Sequence, residues 1–402
     1  MGFWSLFEVA SMPILQVLII SGLGAFMSSG YSNLLTADAR KTLNKIVFVV
    51  FTPSLMFASL AKTVTLQDII SWWFMPINVG LTFLFGGILG WMLVKLLKPG
   101  LHLEGLIIAC CSSANLGNLV LIIVPAICRE DGSPFGSDHD ACASIGLSYA
   151  SFSMALGGFF IWTYTYHLVK SSSLKFKALI AAEEEAIKQP NKDLEANENS
   201  HLLSGHNRQY AALIQPASPR KEEPIWRKVV DVFRQILEEL MAPPTVAAVF
   251  GLLFGAITWL KDLIIGESAP FHVIQDCIKL LGDGTIPCIT LILGGNLTQG
   301  LKSTKVKTPV ILGIIFVKYI LLPVIGVGVV KAADNLGFLP SDPLYHFVLM
   351  LQFSLPPAMN IGTMTQLFDV GQEECSVIFL WTYAFAALAL TLWSTVFLWI
   401  LS

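Results

Sequence analysis

Apolar residues gather along this chain into blocks of about 20 or more, the length a helix needs to cross roughly 30 Å of hydrocarbon. Ten such blocks can be read, at about 8–29, 42–61, 71–97, 104–128, 142–169, 244–262, 271–298, 308–331, 344–368 and 375–401. The first has no basic residue before it and no small-residue cleavage pattern after it, so it is expected to remain as a span. The predicted fold class is an all-α polytopic membrane protein of ten transmembrane helices. A polar stretch divides them into a five-helix unit over 1–170, a linker over 171–240 and a second five-helix unit over 241–402. The linker, with "AAEEEAIKQPNKDLEANENSHLLSG", has too little hydrophobicity to build a core and is expected to be mostly disordered. Its end differs: Trp226, Val230, Phe233, Leu237 and Leu240 recur at helical spacing opposite Arg227, Asp231, Arg234 and Glu238. That pattern predicts an interfacial amphipathic helix leading into the sixth span at Pro243 and Pro244.

Helix breakers fall at matching places in the two halves. Span 1 opens "SMPILQVLIISGLGAF" and span 6 "APPTVAAVFGLLFGAI"; span 2 holds "FTPSLMFASL" and span 7 "TIPCITLILGGNL"; span 4 holds "SSANLGNLVLIIVP" and span 9 "SLPPAMNIGTMTQLF". Five spans per half is an odd number, so a duplicated half must enter the bilayer from the opposite side. The expected architecture is two inverted five-helix repeats.

Composition agrees with a membrane protein: 54% of residues are hydrophobic and 13% charged, against roughly 25% charged in ordinary soluble domains. A net charge of −3 gives no argument for nucleic acid. The distribution of charge says more. Arg40, Lys41, Lys45, Lys95, Lys98, Lys302, Lys305 and Lys307 lie in short loops on one side, and Lys62, Arg129, Lys261 and Lys331 on the other. The positive-inside rule then makes the central loop cytosolic and both termini luminal. The seven cysteines form no CxxC pair, so no metal site is predicted. Cys128 and Cys142 bracket a short polar loop: two free thiols is the expected reading, and a bridge is the alternative if that loop faces an oxidising lumen.

The chemistry concentrates at mid-depth. Ser113, Asn115, Gly117 and Asn118 sit at the centre of span 4, and Pro356, Pro357 and Asn360 at the centre of span 9. Tandem proline removes backbone donors and clashes with the preceding turn, so span 9 should be broken there. In a bilayer, freed backbone groups are tolerated only against protein or a wet cavity. Two broken crossover helices at equal depth predict such a cavity, with half-helix N-termini and amides facing it, an arrangement that suits a small organic anion. The competing role for each asparagine is interhelical glue. Asp283 in "LGDGTIP" and Lys318 in "FVKYILLP" are intramembrane charges, either a structural ion pair or a coupling device. Tyr149, Tyr383 and Trp381 are candidates for an aromatic wall, with packing or lipid contact as the alternative. HExxH, GxSxG and Walker motifs are lacking, so an enzyme is not predicted and no cofactor is called for.

"SSANLGNLVLIIVPAIC", "LGDGTIPCITLILGGNL" and "SLPPAMNIGTMTQLF", with the "AAEEEAI" loop, make the chain similar to the plant PIN-LIKES proteins, grouped with the auxin efflux carriers. The resemblance implies an auxin transport facilitator at the endoplasmic reticulum membrane that draws indole-3-acetic acid out of the cytosol and lowers nuclear auxin signalling. It implies further that the auxin carboxylate is held at an asparagine in each broken helix, here Asn115 and Asn360. Carriers of that group have a proline at each crossover, whereas span 4 has none at its break, the nearest being Pro125. The expected partners are the organic anion and membrane lipid, with a homodimer left open. A sodium-coupled organic anion symporter and a ligand-binding membrane receptor or scaffold are the competing classes.

Overall fold

The computed structural model describes residues 15, 18–63, 65–129, 135, 138–188, 241, 243–266, 269–300 and 306–401. The interfacial helix expected near 224–240 lies outside the described residues. In chain order the main helices are α1 (Leu18–Met27), α2 (Ala37–Lys62), α3 (Phe74–Leu97), α4 (Leu101–Ser112), α5 (Asn118–Arg129), α6 (His139–Ala182), α7 (Pro243–Ala256), α8 (Thr258–Ile264), α9 (His272–Asn296), α10 (Thr308–Asn335), α11 (Pro343–Leu351), α12 (Asn360–Phe368) and α13 (Gln372–Leu401), with a short helix, Leu66–Ser71, between α2 and α3. All the described regular structure is helical apart from one isolated backbone bridge.

Starts are set by ordinary capping chemistry. Asp138 accepts from the Ala141 N–H at the head of α6, and Asp342 accepts from Leu344 at the head of α11, where Pro343 occupies the first helical position. α2, α3, α6, α9, α10 and α13 are long and apolar enough to cross a membrane, and α7 with α8 makes a seventh span if the pair is counted as one, bent by 105° at Ile257. The fourth and ninth blocks are divided, α4 from α5 and α11 from α12, so neither is a continuous span. Helix also continues beyond the fifth block to Lys188, into residues expected to belong to a disordered linker. The run from Tyr166 keeps good helix formers, "KALIAAEEEAIK", with no breaker to stop it.

Ile107, Leu119, Ala150, Phe347, Leu351 and Phe379 are almost wholly buried and belong to one core formed by α4, α5, α6, α11 and α13. α2 packs against α7 and α9, and α9 against α1. Trp399, Leu280 and Leu96 are 77%, 76% and 78% exposed, an apolar exterior that suits lipid. Contacts between helix ends sort onto two sides. Lys41 pairs with Asp369 at 3.4 Å and His102 with Glu374 at 3.7 Å. At the other ends, the Tyr149 hydroxyl donates to Asp342 at 2.6 Å and Trp73 meets Phe338 at 5.6 Å between ring centroids. There too, Cys128 and Cys142 are joined as a disulfide, with 5.5 Å between their Cα atoms. This corrects the expectation of two free thiols: α5 and α6 pack closely enough to bring the two side chains together.

Candidate functional site

The two breaks meet. α4 gives way at Ser113 to extended backbone (φ −84°, ψ 129°) and α5 starts only at Asn118. Between α11 and α12 lies the segment carrying Pro356 and Pro357. Ala114 and Pro357 pair as an antiparallel bridge, and the Asn115 N–H donates to the Pro356 carbonyl at 2.8 Å. Each break thus supplies partners for the other's freed backbone. This is how the fourth apolar block opens without a proline: its polar backbone is held open from outside.

Two neighbouring helices complete the support. Lys318, fully buried in a π-helical turn of α10 (Val317–Leu321), donates through Nζ to the Ser113 carbonyl at 2.9 Å. A cation is the favourable sign at the carbonyl end of α4. Across the molecule, Asn78 on α3 donates to the Leu349 carbonyl at 3.0 Å and to Gln352 Oε1 at 2.7 Å, and Gln352 donates to Ser153 at 3.0 Å. α3 steadies the break in the ninth block, then, as α10 steadies that in the fourth. The approach of α3 to α4 requires Gly86, where a Cβ would lie 2.5 Å from the Cys111 carbonyl oxygen and 2.6 Å from Ser112 Cα. Tyr383 on α13 ties the two breaks together. The Asn115 Nδ2 donates to its hydroxyl at 2.9 Å, and the hydroxyl donates to the Pro357 carbonyl at 3.0 Å.

Beside the crossing lies a cavity of about 60 Å³. Leu116 and Gly117 before α5, and Met359 and Asn360 at the head of α12, form one wall together with Asn115; Met56, Ile286 and Ile289 stand among the apolar side chains of the rest. Two helix N-termini with two amides, facing an apolar surface, match an anion attached to an apolar body. Asn115 retains a second amide N–H beyond the one given to Tyr383, and Asn360, half-buried, has no hydrogen-bond partner for its side chain among the described residues. The volume falls well short of the roughly 300–1,000 Å³ typical of small-molecule sites. A molecule of that kind therefore needs more room than the cavity holds. Met56 and Met154 both line it, and their unbranched side chains can swing to enlarge it.

Of the residues singled out in the sequence, Asn115 and Asn360 come together at the cavity. Ser113, Pro356 and Pro357 shape the crossing instead, Ser113 pairing its hydroxyl with Thr165 at 2.6 Å. Asn118 opens α5, but its side chain lies outside the described residues. Tyr149 is not at the cavity: it packs between Trp72 and Tyr345, with its hydroxyl on Asp342. It sits too near the start of α6, roughly 20 Å along the helix from Trp162, which does line the cavity. Trp381 is 48% exposed. Asp283 and Lys318 are not brought together as an ion pair: Asp283 is exposed at the end of the segment His272–Asp283, and Lys318 faces Ser113. Sequence reasoning missed Trp162 and Thr285, both at the cavity. The signal available for Trp162 was the aromatic run "FFIWTYTYH", which at helical spacing reads equally well as core.

The membrane transport protein family model matches residues 9–394. Protein PIN-LIKES 7 of Arabidopsis thaliana is 64% identical, with all of both chains covered, and protein PIN-LIKES 5 of the same plant is 60% identical over 99% of each. An uncharacterized transporter of Saccharomyces cerevisiae is 26% identical over 94% of this chain and 92% of its own. With a match over nearly its whole length and relatives this similar, the chain belongs to the membrane transport protein family and, within it, to the PIN-LIKES proteins, and is a transporter rather than an enzyme.

Proposed function

We propose that this chain is an auxin transport facilitator that moves indole-3-acetate from the cytosol into the lumen of the endoplasmic reticulum, lowering the auxin available to nuclear signalling. The observation that carries the reading is the crossing itself: two half-helix N-termini with Asn115 and Asn360 beside one cavity, facing an apolar wall. Indole-3-acetate is an anion on an aromatic body. Helix ends and neutral amides hold such an anion without a fixed cation, so it can be released on the far side.

The architecture we propose is ten spans in two inverted five-helix repeats, the fourth and ninth being the paired half-helices. The exchange of supports favours it: third-span Asn78 holds the ninth-span break and eighth-span Lys318 the fourth-span break, as a two-fold relation requires. The sorting of helix-end contacts onto two sides agrees with alternating spans. The Cys128–Cys142 bridge supports a luminal position for that loop, and hence luminal termini and a cytosolic linker. Transport then follows from alternating access, spans 1, 2, 6 and 7 rocking against the crossover bundle.

Proteoliposomes carrying the purified chain test this. Uptake of indole-3-acetate should proceed without sodium and fall at least about tenfold in Asn115→Ala and in Asn360→Ala. Binding without uptake would identify a receptor, and strict sodium dependence a symporter.

A further inference from the structure

Two residues that line the cavity each carry a buried polar atom with no hydrogen-bond partner among the described residues: the indole Nε1 of Trp162 and the hydroxyl of Thr285, on side chains 1% and 3% exposed. Orphaned buried polar atoms are rare, because leaving one unpaired forfeits its hydration for nothing. Neither is a loosely placed group. Trp162 belongs to the π-helical turn Ile161–Thr165 and is packed against Phe48 at 4.9 Å between ring centroids. π-Turns inside long helices often mark functional sites, since they turn side chains away from the regular helical face. Thr285 opens the second segment of α9 after the turn at Gly284. Five residues on, Thr290 takes the usual outlet of a helical threonine, donating to the Ile286 carbonyl at 2.7 Å; Thr285 does not.

The donor and acceptor inventory assigns these atoms their partners. An indole N–H can only donate, whereas a threonine hydroxyl can also accept. On the function proposed above, the bound molecule has strong acceptors only at its carboxylate and a donor only at its ring N–H. We infer that Trp162 donates to the substrate carboxylate and that Thr285 accepts the hydrogen bond of the substrate's ring N–H. Trp162 is on α6, which also carries Thr165, the partner of Ser113 at the crossing. Thr285 is on α9 with Ile286 and Ile289. The acid end therefore lies with the crossing and its asparagines, and the ring with α9. The bound molecule bridges the two groups of helices whose relative motion would carry it.

The test uses the full chain in lipid nanodiscs and two ligands, indole-3-acetate and 1-naphthylacetate, which shares the carboxylate and has no ring N–H. Trp162→Phe should weaken binding of both by about tenfold or more, since a charge-assisted hydrogen bond is lost. Thr285→Val should weaken indole-3-acetate about fivefold and leave 1-naphthylacetate within about twofold, with Thr285→Ser restoring the difference. A Trp162→Phe chain that melts like wild type and binds both ligands unchanged overturns the first half; Trp162→Met makes the same comparison if the phenylalanine variant does not fold. Equal loss of both ligands, or of neither, in Thr285→Val overturns the second. If the wild type binds neither ligand, or Asn115→Ala binds as the wild type does, the proposed site itself is wrong, and this inference falls with it.

Discussion

At the residue scale, the site depends on a few buried polar groups whose partners come from far along the chain. Tyr383 joins the two breaks, accepting from Asn115 and donating to the Pro357 carbonyl. Tyr383→Phe keeps the ring and leaves both groups unpaired, so it should cost about 1–3 kcal/mol in thermal unfolding in detergent. Its effect on indole-3-acetate affinity should be at least as large, because Asn115 loses its orientation. Lys318 behaves differently. Its ammonium is buried with a backbone carbonyl as its hydrogen-bond acceptor and no ion-pair partner among the described residues. Replacing it by Met removes the cost of burying a charge along with the contact. Lys318→Met should unfold within about 1 kcal/mol of wild type, yet bind the anion more weakly; a drop in melting temperature with intact binding would make Lys318 purely structural. The asparagines were legible in the sequence because they fall at matching mid-block places in the two halves, which interhelical glue alone does not require. Tyr149 and Trp162 were not distinguishable there, since a helix periodicity tells which face a residue shares but not how deep the crossing lies along it.

At the scale of the element, the break in span 9 was legible from Pro356 and Pro357 alone. With no N–H at either position, the carbonyls of Gln352 and Phe353 lose their helical partners, and a gap between α11 and α12 follows. The break in span 4 is of another kind. "SSANLGNL" has nothing to forbid a helix, so local propensity under-determines it; the pairing that opens it is tertiary. The bend of 105° between α7 and α8 had no sequence signal beyond a glycine-containing run. Pro356→Ala with Pro357→Ala should let span 9 close into a continuous helix and withdraw the partner of Asn115. Ligand binding should be abolished in a chain that still elutes as a folded monodisperse species; preserved binding would count against the half-helix site. Gly86→Val should push α3 off the Cys111 carbonyl and cost about 1–3 kcal/mol, as overpacking does.

At the scale of the whole molecule, orientation gives a direct check. In sealed microsomes treated with a membrane-impermeant reductant and a mass-tagging maleimide, Cys128 and Cys142 should stay unmodified until the membrane is permeabilised. Modification in intact vesicles would place that loop in the cytosol and invert the proposed topology. The crossing also bears on how such a chain is made. Lys318 follows Ser113 by 205 residues and Tyr383 follows Asn115 by 268. At about 5–20 residues per second, the ribosome delivers those partners roughly 10 to 50 seconds late. Until then Ser113 and Asn115 lack the partners that hold the break, and "SSANLGNL" has nothing that forbids a continuous helix, so the shape of the first half at this point depends on the second.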